Sequence, residues 1–405
     1  MGDSQALAQA IRQAALDLGF DDAGLVPAGP TLTHGFYLDW LKDGLGGELT
    51  YLTRHAELKA DPRRVAPWAQ TVLMTARGYR PAAPRPEGNF SSRTARYAWG
   101  PDYHLDMRER LDRLGREVER LAGQPVRRRS FVDTAPLMER EWAARAGLGW
   151  VGKNGLLIHP RLGSYLFLGG VLLELPLPSA PGSGGFSRSA ETPGASQADS
   201  RCGTCQACIA ACPTGAITAP RRVDARRCIA TPTIESKGLP PLELRPHMGD
   251  WVFGCDVCQE VCPWNRKAPS RHGPAEDPPE LDRWLMLDPA SFQQRYRHTP
   301  YGRPGAGGMA RNAALALGNR LAAGGWDELS AGRGLTALLQ ALGRAEPVAR
   351  GAAAWALGRA CQARPEGRVA AQGLLAAALA RESDPSARQE MEQALAVLKA
   401  LGATA

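Results

Sequence analysis

RCGTCQACIAACPTGAI, residues 201–217, spaces four cysteines as Cys202-x2-Cys205-x2-Cys208-x3-Cys212 and sets Pro213 directly after the last. That spacing lets a short segment wrap a cubane 4Fe–4S cluster. Three thiolates close on one cluster while the fourth, before the proline, reaches to a second. A second block downstream, Cys255-x2-Cys258-x3-Cys262-Pro263, repeats the frame without its first member, because Val252 stands where that cysteine would be. Cys228 lies between the blocks and supplies the missing thiolate. Crossing over then predicts one cluster on Cys202, Cys205, Cys208 and Cys262 and another on Cys212, Cys228, Cys255 and Cys258. Four-cysteine sets also bind structural zinc, but the x2, x2, x3, Pro spacing is that of iron–sulfur segments. Cys361, at helical spacing far from both blocks, reads as a small buried hydrophobe.

The rest of the chain must be globular. Its 405 residues are 44% hydrophobic and 22% charged, with a net charge of +8, too apolar for a disordered polyelectrolyte. No run of about 18 uncharged apolar residues is present, and the start, Met1-Gly2-Asp3-Ser4, lacks the pattern of a signal peptide. These features predict a cytoplasmic chain, where clustered cysteines serve metal or redox chemistry rather than disulfides.

Composition divides the chain at about 175, 200 and 270, and the expected architecture is α+β overall: a catalytic α/β layer domain over 1–175, a flexible linker or insertion over 176–200, a ferredoxin-like domain over 201–270, and an all-α tail over 271–405. The tail repeats. Met309-Ala310-Arg311-Asn312-Ala313-Ala314-Leu315-Ala316-Leu317-Gly318 returns as Val348-Ala349-Arg350-Gly351-Ala352-Ala353-Ala354-Trp355-Ala356-Leu357-Gly358, and more weakly from Asp384. A period near 40 residues is that of HEAT-type helical pairs, which stack to bury a shared core.

Cluster pairs move single electrons, so the front of the chain must hold the reacting site. Phe131-Val132-Asp133-Thr134-Ala135-Pro136 runs into a helix expected over Leu137–Ala146, between Pro136 and Gly147. By position Asp133 reads as a helix cap. The glycine-dense stretch Gly147–Gly155 suggests backbone close to a ligand, although it lacks a phosphate-binding pattern.

Several stretches together resemble the epoxyqueuosine reductases: Arg96–His104, Asp133–Pro136, Gly147–Asn154, the cysteine blocks with Thr214–Ile217, Asp224–Ile229, and Cys262-Pro263-Trp264-Asn265. The resemblance implies a cobalamin-dependent enzyme with two 4Fe–4S clusters and HEAT-like repeats. It would reduce epoxyqueuosine at the wobble position of tRNA, gripping the anticodon stem-loop. It further implies Asp133 as proton donor, with Arg96, Tyr97, His104, Lys153, Asn154 and Ser164 around cobalamin and substrate. To hold a proton at neutral pH, Asp133 would need burial to raise its pKa. His104, among aromatics, is read as packed rather than as a cobalt ligand.

Arg221, Arg222, Arg226 and Arg227, with Arg311 in the first repeat and Arg350 at the matching point of the second, are the candidate tRNA contacts. Two other readings compete: a cobalamin and iron–sulfur reductive dehalogenase, usually exported with a twin-arginine signal absent here, and a non-enzymatic ferredoxin-like carrier on a repeat adaptor. A monomer without membrane contact is expected; the electron donor is external and unknown.

Overall fold

Leu166–Leu173, LFLGGVLL, is a nearly unbroken apolar run because it forms an inner strand covered on both faces. It pairs antiparallel with Thr71–Gly78 on one side and Arg128–Val132 on the other, and Asp22–Pro27 completes a four-stranded sheet beyond Thr71–Gly78. Register puts Leu25, Leu73 and Val171 in one row and Val26, Val72 and Leu172 in the next. With a side-chain period of two, the rows face opposite sides. The first packs with Ile11 and Ala15 of the helix Gly2–Asp17 and Leu111 and Leu114 of the helix Tyr103–Ala122. The second packs with Trp142 and Ala143 of the helix Glu139–Arg145. Every pair within this sheet is antiparallel, so the sandwich of helices around it is of the α+β kind.

The structure is a computed structural model that describes residues 2–184, 201–270 and 278–403. It divides into two compact units, each assembled from separated segments: 1–82, 102–226 and 257–273 in one, and 83–101, 227–256 and 274–405 in the other. The cysteine stretch is thus shared between units, where composition suggested a contiguous domain. Long-range pairing, which composition does not encode, draws these boundaries.

Part of the expected linker is firmly held. Leu25 and Ala180 exchange backbone hydrogen bonds of 2.9 and 3.1 Å, and Ser183 donates to Asp22 through both its N–H (2.7 Å) and its hydroxyl (2.9 Å). The flexible reading of 176–200 therefore fails for 176–184: apolar Leu177 and Ala180 are buried and polar Ser183 has a fixed acceptor. Residues 185–200 lie outside the described residues.

In the second unit the helices Gly305–Ala323, Pro347–Ala363 and Pro385–Ala403 recur at a period near 40, with Glu328–Ala341 and Arg368–Leu379 between them. The repeated glycine has a packing reason: a Cβ on Gly318 would lie 2.7 Å from the Cα of Ala356, so only glycine lets these two helices approach. Cys361 is buried as expected, and burial pushes its thiol up to about 11. The repeated arginines do not serve the expected purpose. Arg311 is fully buried and donates to the carbonyls of Ser236 (2.8 Å), Gly238 (2.7 Å) and Pro232. A guanidinium without exposed surface touches no phosphate, so the tRNA assignment of Arg311 is corrected: it ties the first repeat helix to the segment 232–238. Arg350 is likewise held by the Glu382 carboxylate, at 2.5 and 2.7 Å. Among the described residues no helix is long and apolar enough to cross a membrane.

Candidate functional site

The first predicted set of cysteines converges. Cys202, Cys205, Cys208 and Cys262 line one cavity of about 110 Å³ with Lys153, Asn154, Ile158 and Trp264. Among the described residues no group of three or more His, Cys, Asp or Glu side chains is placed to hold a single metal ion. A polynuclear cluster with thiolates on its outside fits this arrangement. Burial, then the charge of neighbouring cysteines, pushes the Cys208 thiol up; burial does the same for Cys262. Of the second set, Cys212 and Cys258 belong to the first unit and Cys228 and Cys255 to the second.

Three residues assigned by resemblance to a cobalamin pocket are found at this cavity or its supports. The Lys153 ammonium donates to the carbonyls of Gly203 (2.8 Å) and Cys205 (2.9 Å), fastening the cysteine loop from outside. Asn154 lines the cavity, accepts from the Leu156 N–H at 3.2 Å, and leaves its Nδ2 buried without a hydrogen-bond partner. Ser164 is buried in a knot: its N–H donates to Asn265 Oδ1 (2.7 Å), its hydroxyl donates to Gln259 Oε1 (3.0 Å), and Asn265 Nδ2 donates to that hydroxyl (2.9 Å). This knot moors the segment carrying Cys262 to the sheet.

Within the glycine stretch, one position has a packing reason. A Cβ on Gly149, at φ +145°, would lie 2.1 Å from the Ile158 carbonyl oxygen. At Gly149 the close approach that glycine permits is to the strand Leu157–Ile158, while Lys153 and Asn154 of the same stretch line the cysteine cavity.

Asp133 stands at the end of the strand Arg128–Val132 with φ +41°, one of two non-glycine residues at positive φ among those described. Such backbone costs about 1–3 kcal/mol and persists where its surroundings impose it. The helix begins only at Glu139, with Met138 as its N-cap, so Asp133 is no cap. Its carboxylate faces Tyr103 and His104 at the start of the helix Tyr103–Ala122: the Tyr103 hydroxyl donates at 3.3 Å, and His104 Nε2 lies 3.5 Å away. His104 Nδ1 meets Asp102 Oδ1 at 2.8 Å, placing the ring between two carboxylates. The His104 ring stacks on Tyr103, which lies parallel to Phe167 at 4.2 Å, and Phe167 stacks on Tyr79 at 4.4 Å.

The electrostatics reverse one expectation. The neighbouring His104, ahead of all else, holds Asp133 below its ordinary value, although burial opposes this; Asp133 in turn raises His104. Asp133 thus rests here as an anion beside a readily protonated imidazole, not as a carboxyl kept neutral by burial. The carboxyl that burial does push up is Glu139, to about 7. No local sequence pattern marks Glu139, and Tyr103 is marked only by lying within the resembling stretch Arg96–His104.

Arg96 and Tyr97 lie on a 3-10 turn of the second unit. The Arg96 N–H donates to Asp256 at 2.7 Å with its guanidinium over Trp99, and Tyr97 packs on Phe253. Of the candidate tRNA contacts, Arg222 pairs with Asp43, and Arg226 forms a two-point pair with Asp224 at 2.8 and 2.9 Å. Arg221 has φ +65°, its N–H bound to the Lys153 carbonyl, and Arg227 is exposed.

A sheet unit with a ferredoxin-type cysteine cavity defines the class, a protein built to carry two iron–sulfur clusters: residues 201–265 match the 4Fe-4S double cluster binding domain family. Residues 59–134 match the family described as Epoxyqueuosine reductase QueG, DUF1730. The epoxyqueuosine reductase of Pseudomonas aeruginosa is 38% identical over 332 residues, spanning 78% of this chain and 86% of that one. That of Escherichia coli is 36% identical over 340 residues, 80% and 83% of the two chains. The chain belongs to the epoxyqueuosine reductase family. An epoxyqueuosine reductase solved with an epoxyqueuosine-modified tRNA-Tyr stem loop superposes with a TM-score of 0.80 at 29% identity, covering 98% of this chain and all of that one. The Bacillus subtilis enzyme, solved with its catalytic aspartate loop swung out of the active site, gives 0.78 at 28%, covering 97% and 99%.

Proposed function

We propose that this chain reduces epoxyqueuosine to queuosine at the wobble position of tRNA, in the cytoplasm, with two 4Fe–4S clusters, cobalamin, and Asp133 as proton donor. The observation that carries the proposal is one fold joining the cavity of Cys202, Cys205, Cys208 and Cys262 to a strained aspartate loop. The second cluster takes Cys212, Cys228, Cys255 and Cys258, as the crossed frame requires, and the C-terminal helices form HEAT-like repeats. Removing an epoxide oxygen as water consumes two electrons and two protons, and the oxygen leaves well only once protonated. The Asp133 side chain is 65% exposed, open to a substrate. His104, ordinarily half-protonated near pH 6.5 and raised here, stores charge beside it and orients it.

The flat aromatic face of Tyr103 and His104, stacked at 4.1 Å beside Asp133, suits a planar macrocycle. Tyr103, His104 and Asp133 would hold cobalamin; when bound it supplies a low-potential metal centre for carbon–oxygen cleavage. The test is anaerobic purification with reconstituted clusters and added cobalamin, then assay of tRNA carrying epoxyqueuosine by mass of the released nucleoside. A mass loss of one oxygen supports the reading. An untouched epoxide, with both clusters present and reducible, sinks it.

A further inference from the structure

Each epoxide consumes two electrons, and side chains do not generate them, so they enter from outside. Electron transfer slows steeply with distance, and a donor has to lie over the exposed side of a cluster. The cavity of Cys202, Cys205, Cys208 and Cys262 comes near the surface. Its first three cysteines are only partly buried, and Arg201, Gly203, Thr204, Gln206 and Pro263 around them are exposed.

The charge on this face is one-sided. No acid occurs over 201–213, and Glu260 is the one acid over 257–270. Arg201 lines the cavity, with its guanidinium over the Trp150 ring at 5.7 Å. Arg266 and Lys267 follow Cys262 on one closed turn: the Asn265 N–H donates to the Cys262 carbonyl (3.0 Å) and the Arg266 N–H to that of Pro263 (3.2 Å). Asn265 and Ala268 of this turn are buried, which turns Arg266 and Lys267 outward to solvent. Neither cation has an ion pair or side-chain hydrogen bond among the described residues. Elsewhere in the same unit exposed arginines carry acids of their own, as Arg63 does with Asp61 and Arg226 with Asp224. Half-buried Trp264, T-shaped on Trp150 at 4.8 Å, gives the cations a rigid apolar centre. An apolar centre within a charged rim is the anatomy of a protein interface.

We infer that the face bearing Arg201, Trp264, Arg266 and Lys267 is the docking site of the electron donor, a small acidic protein that carries single electrons at low potential. The inference goes beyond the proposed reaction and rests only on its clusters; neither cobalamin nor substrate enters. RNA is also a polyanion, but it has to bring its wobble base to Asp133, whereas a donor gains by lying over a cluster. A flavodoxin-type donor shows the balance. Its anionic flavin hydroquinone gives up one electron and becomes the neutral semiquinone, one cluster is reduced by one electron, and no proton moves. Two encounters load both clusters with the pair of electrons that an epoxide consumes. The donor has to leave between encounters, which suits a charge-steered contact smaller than about 1,200 Å².

The test mixes protein with both clusters reconstituted, without cobalamin, with an acidic flavodoxin in its hydroquinone form under anaerobic conditions. Growth of the semiquinone absorption gives the rate of electron entry. Native protein should react fast at low salt and more slowly as ionic strength rises. Arg266→Glu combined with Lys267→Glu should cut the low-salt rate about tenfold or more. Cluster absorption should stay native, as should reduction by photoreduced deazaflavin, which needs no docking. Arg113→Glu combined with Arg116→Glu, exposed on the helix Tyr103–Ala122, changes the net charge equally and should stay close to native. A native rate indifferent to salt, or equal losses in both double variants or in neither, overturns the docking face. So does a variant at 266 and 267 that accepts electrons normally but loses affinity for the anticodon stem-loop, which would give the face to RNA. Salt-dependent entry lost only at 266 and 267 supports the face even where epoxyqueuosine goes unreduced, a failure that would count against the proposed function alone.

Discussion

Asp133 and His104 stand 29 residues apart in the chain, and their pairing was beyond reach of local patterns. The aspartate looked like a cap because a helix follows. The structure instead puts it at a strand end, strained, opposite a histidine from another helix. Asp133→Asn should therefore keep cluster absorption and fold while losing roughly 10²–10⁴-fold in turnover, the span of a lost general acid; single-turnover assays on modified tRNA measure it. The pair's effect on stability has a definite sign. His104 is raised, so its contribution is full below 6.5 and is lost as pH rises through its higher folded value. Asp133 is lowered, so its contribution is full above about 3.9 and is lost as pH falls through its lower folded value. His104→Gln should then differ most from native between those limits, by no more than about 1 kcal/mol for so exposed a carboxylate. Urea denaturation across pH checks this, and a difference growing toward higher, alkaline pH contradicts it.

At the scale of the element, legibility followed the range of the interactions. The cysteine frame was readable because three of the four thiols lining one cavity, Cys202, Cys205 and Cys208, lie close together in the chain, and the helical period was readable because neighbouring repeats touch. Lys153 was not, since its partners are carbonyls some fifty residues away that carry no side-chain signature. Lys153→Met removes two charge-assisted bonds from the Cys202–Cys208 loop. Under anaerobic chelator challenge it should lose iron several times faster than native protein, with unchanged helix content; equal retention would disprove the clamp. The stacked helices permit a paired test. Gly318→Val forces a side chain onto Ala356 and should destabilise by about 1–3 kcal/mol. Gly332→Ala, on an open helix face with nothing within 4 Å, should stabilise by about 0.4–1 kcal/mol.

For the whole molecule the charge excess of +8 suggested a phosphate-binding face, but a sum of charges says nothing about which arginines already have partners. Arg311 is committed internally to three carbonyls, and Arg222 and Arg226 are matched to Asp43 and Asp224. Such pairs were invisible in sequence because Asp43 lies 179 residues from Arg222. The prediction for tRNA binding changes accordingly. Removing one arginine that neutralises a phosphate lowers the slope of log affinity against log salt by about 0.7–0.9. Replacing Arg221, Arg222 and Arg227 together by Ala should reduce the slope by no more than about 2–3, with the Arg222 share smaller because Asp43 already offsets its charge. Replacing Asp43 by Asn in the native background should then strengthen binding at low salt, as it frees that guanidinium, and the gain should vanish at high salt. Arg311→Met should act differently: a lower yield of folded protein, since three buried carbonyls lose their donor, yet an unaltered slope in what folds. Fluorescence anisotropy on an anticodon stem-loop across a salt series separates the two patterns. A slope that moves with Arg311→Met and not with the triple substitution would transfer the RNA face from the cysteine region to the repeats.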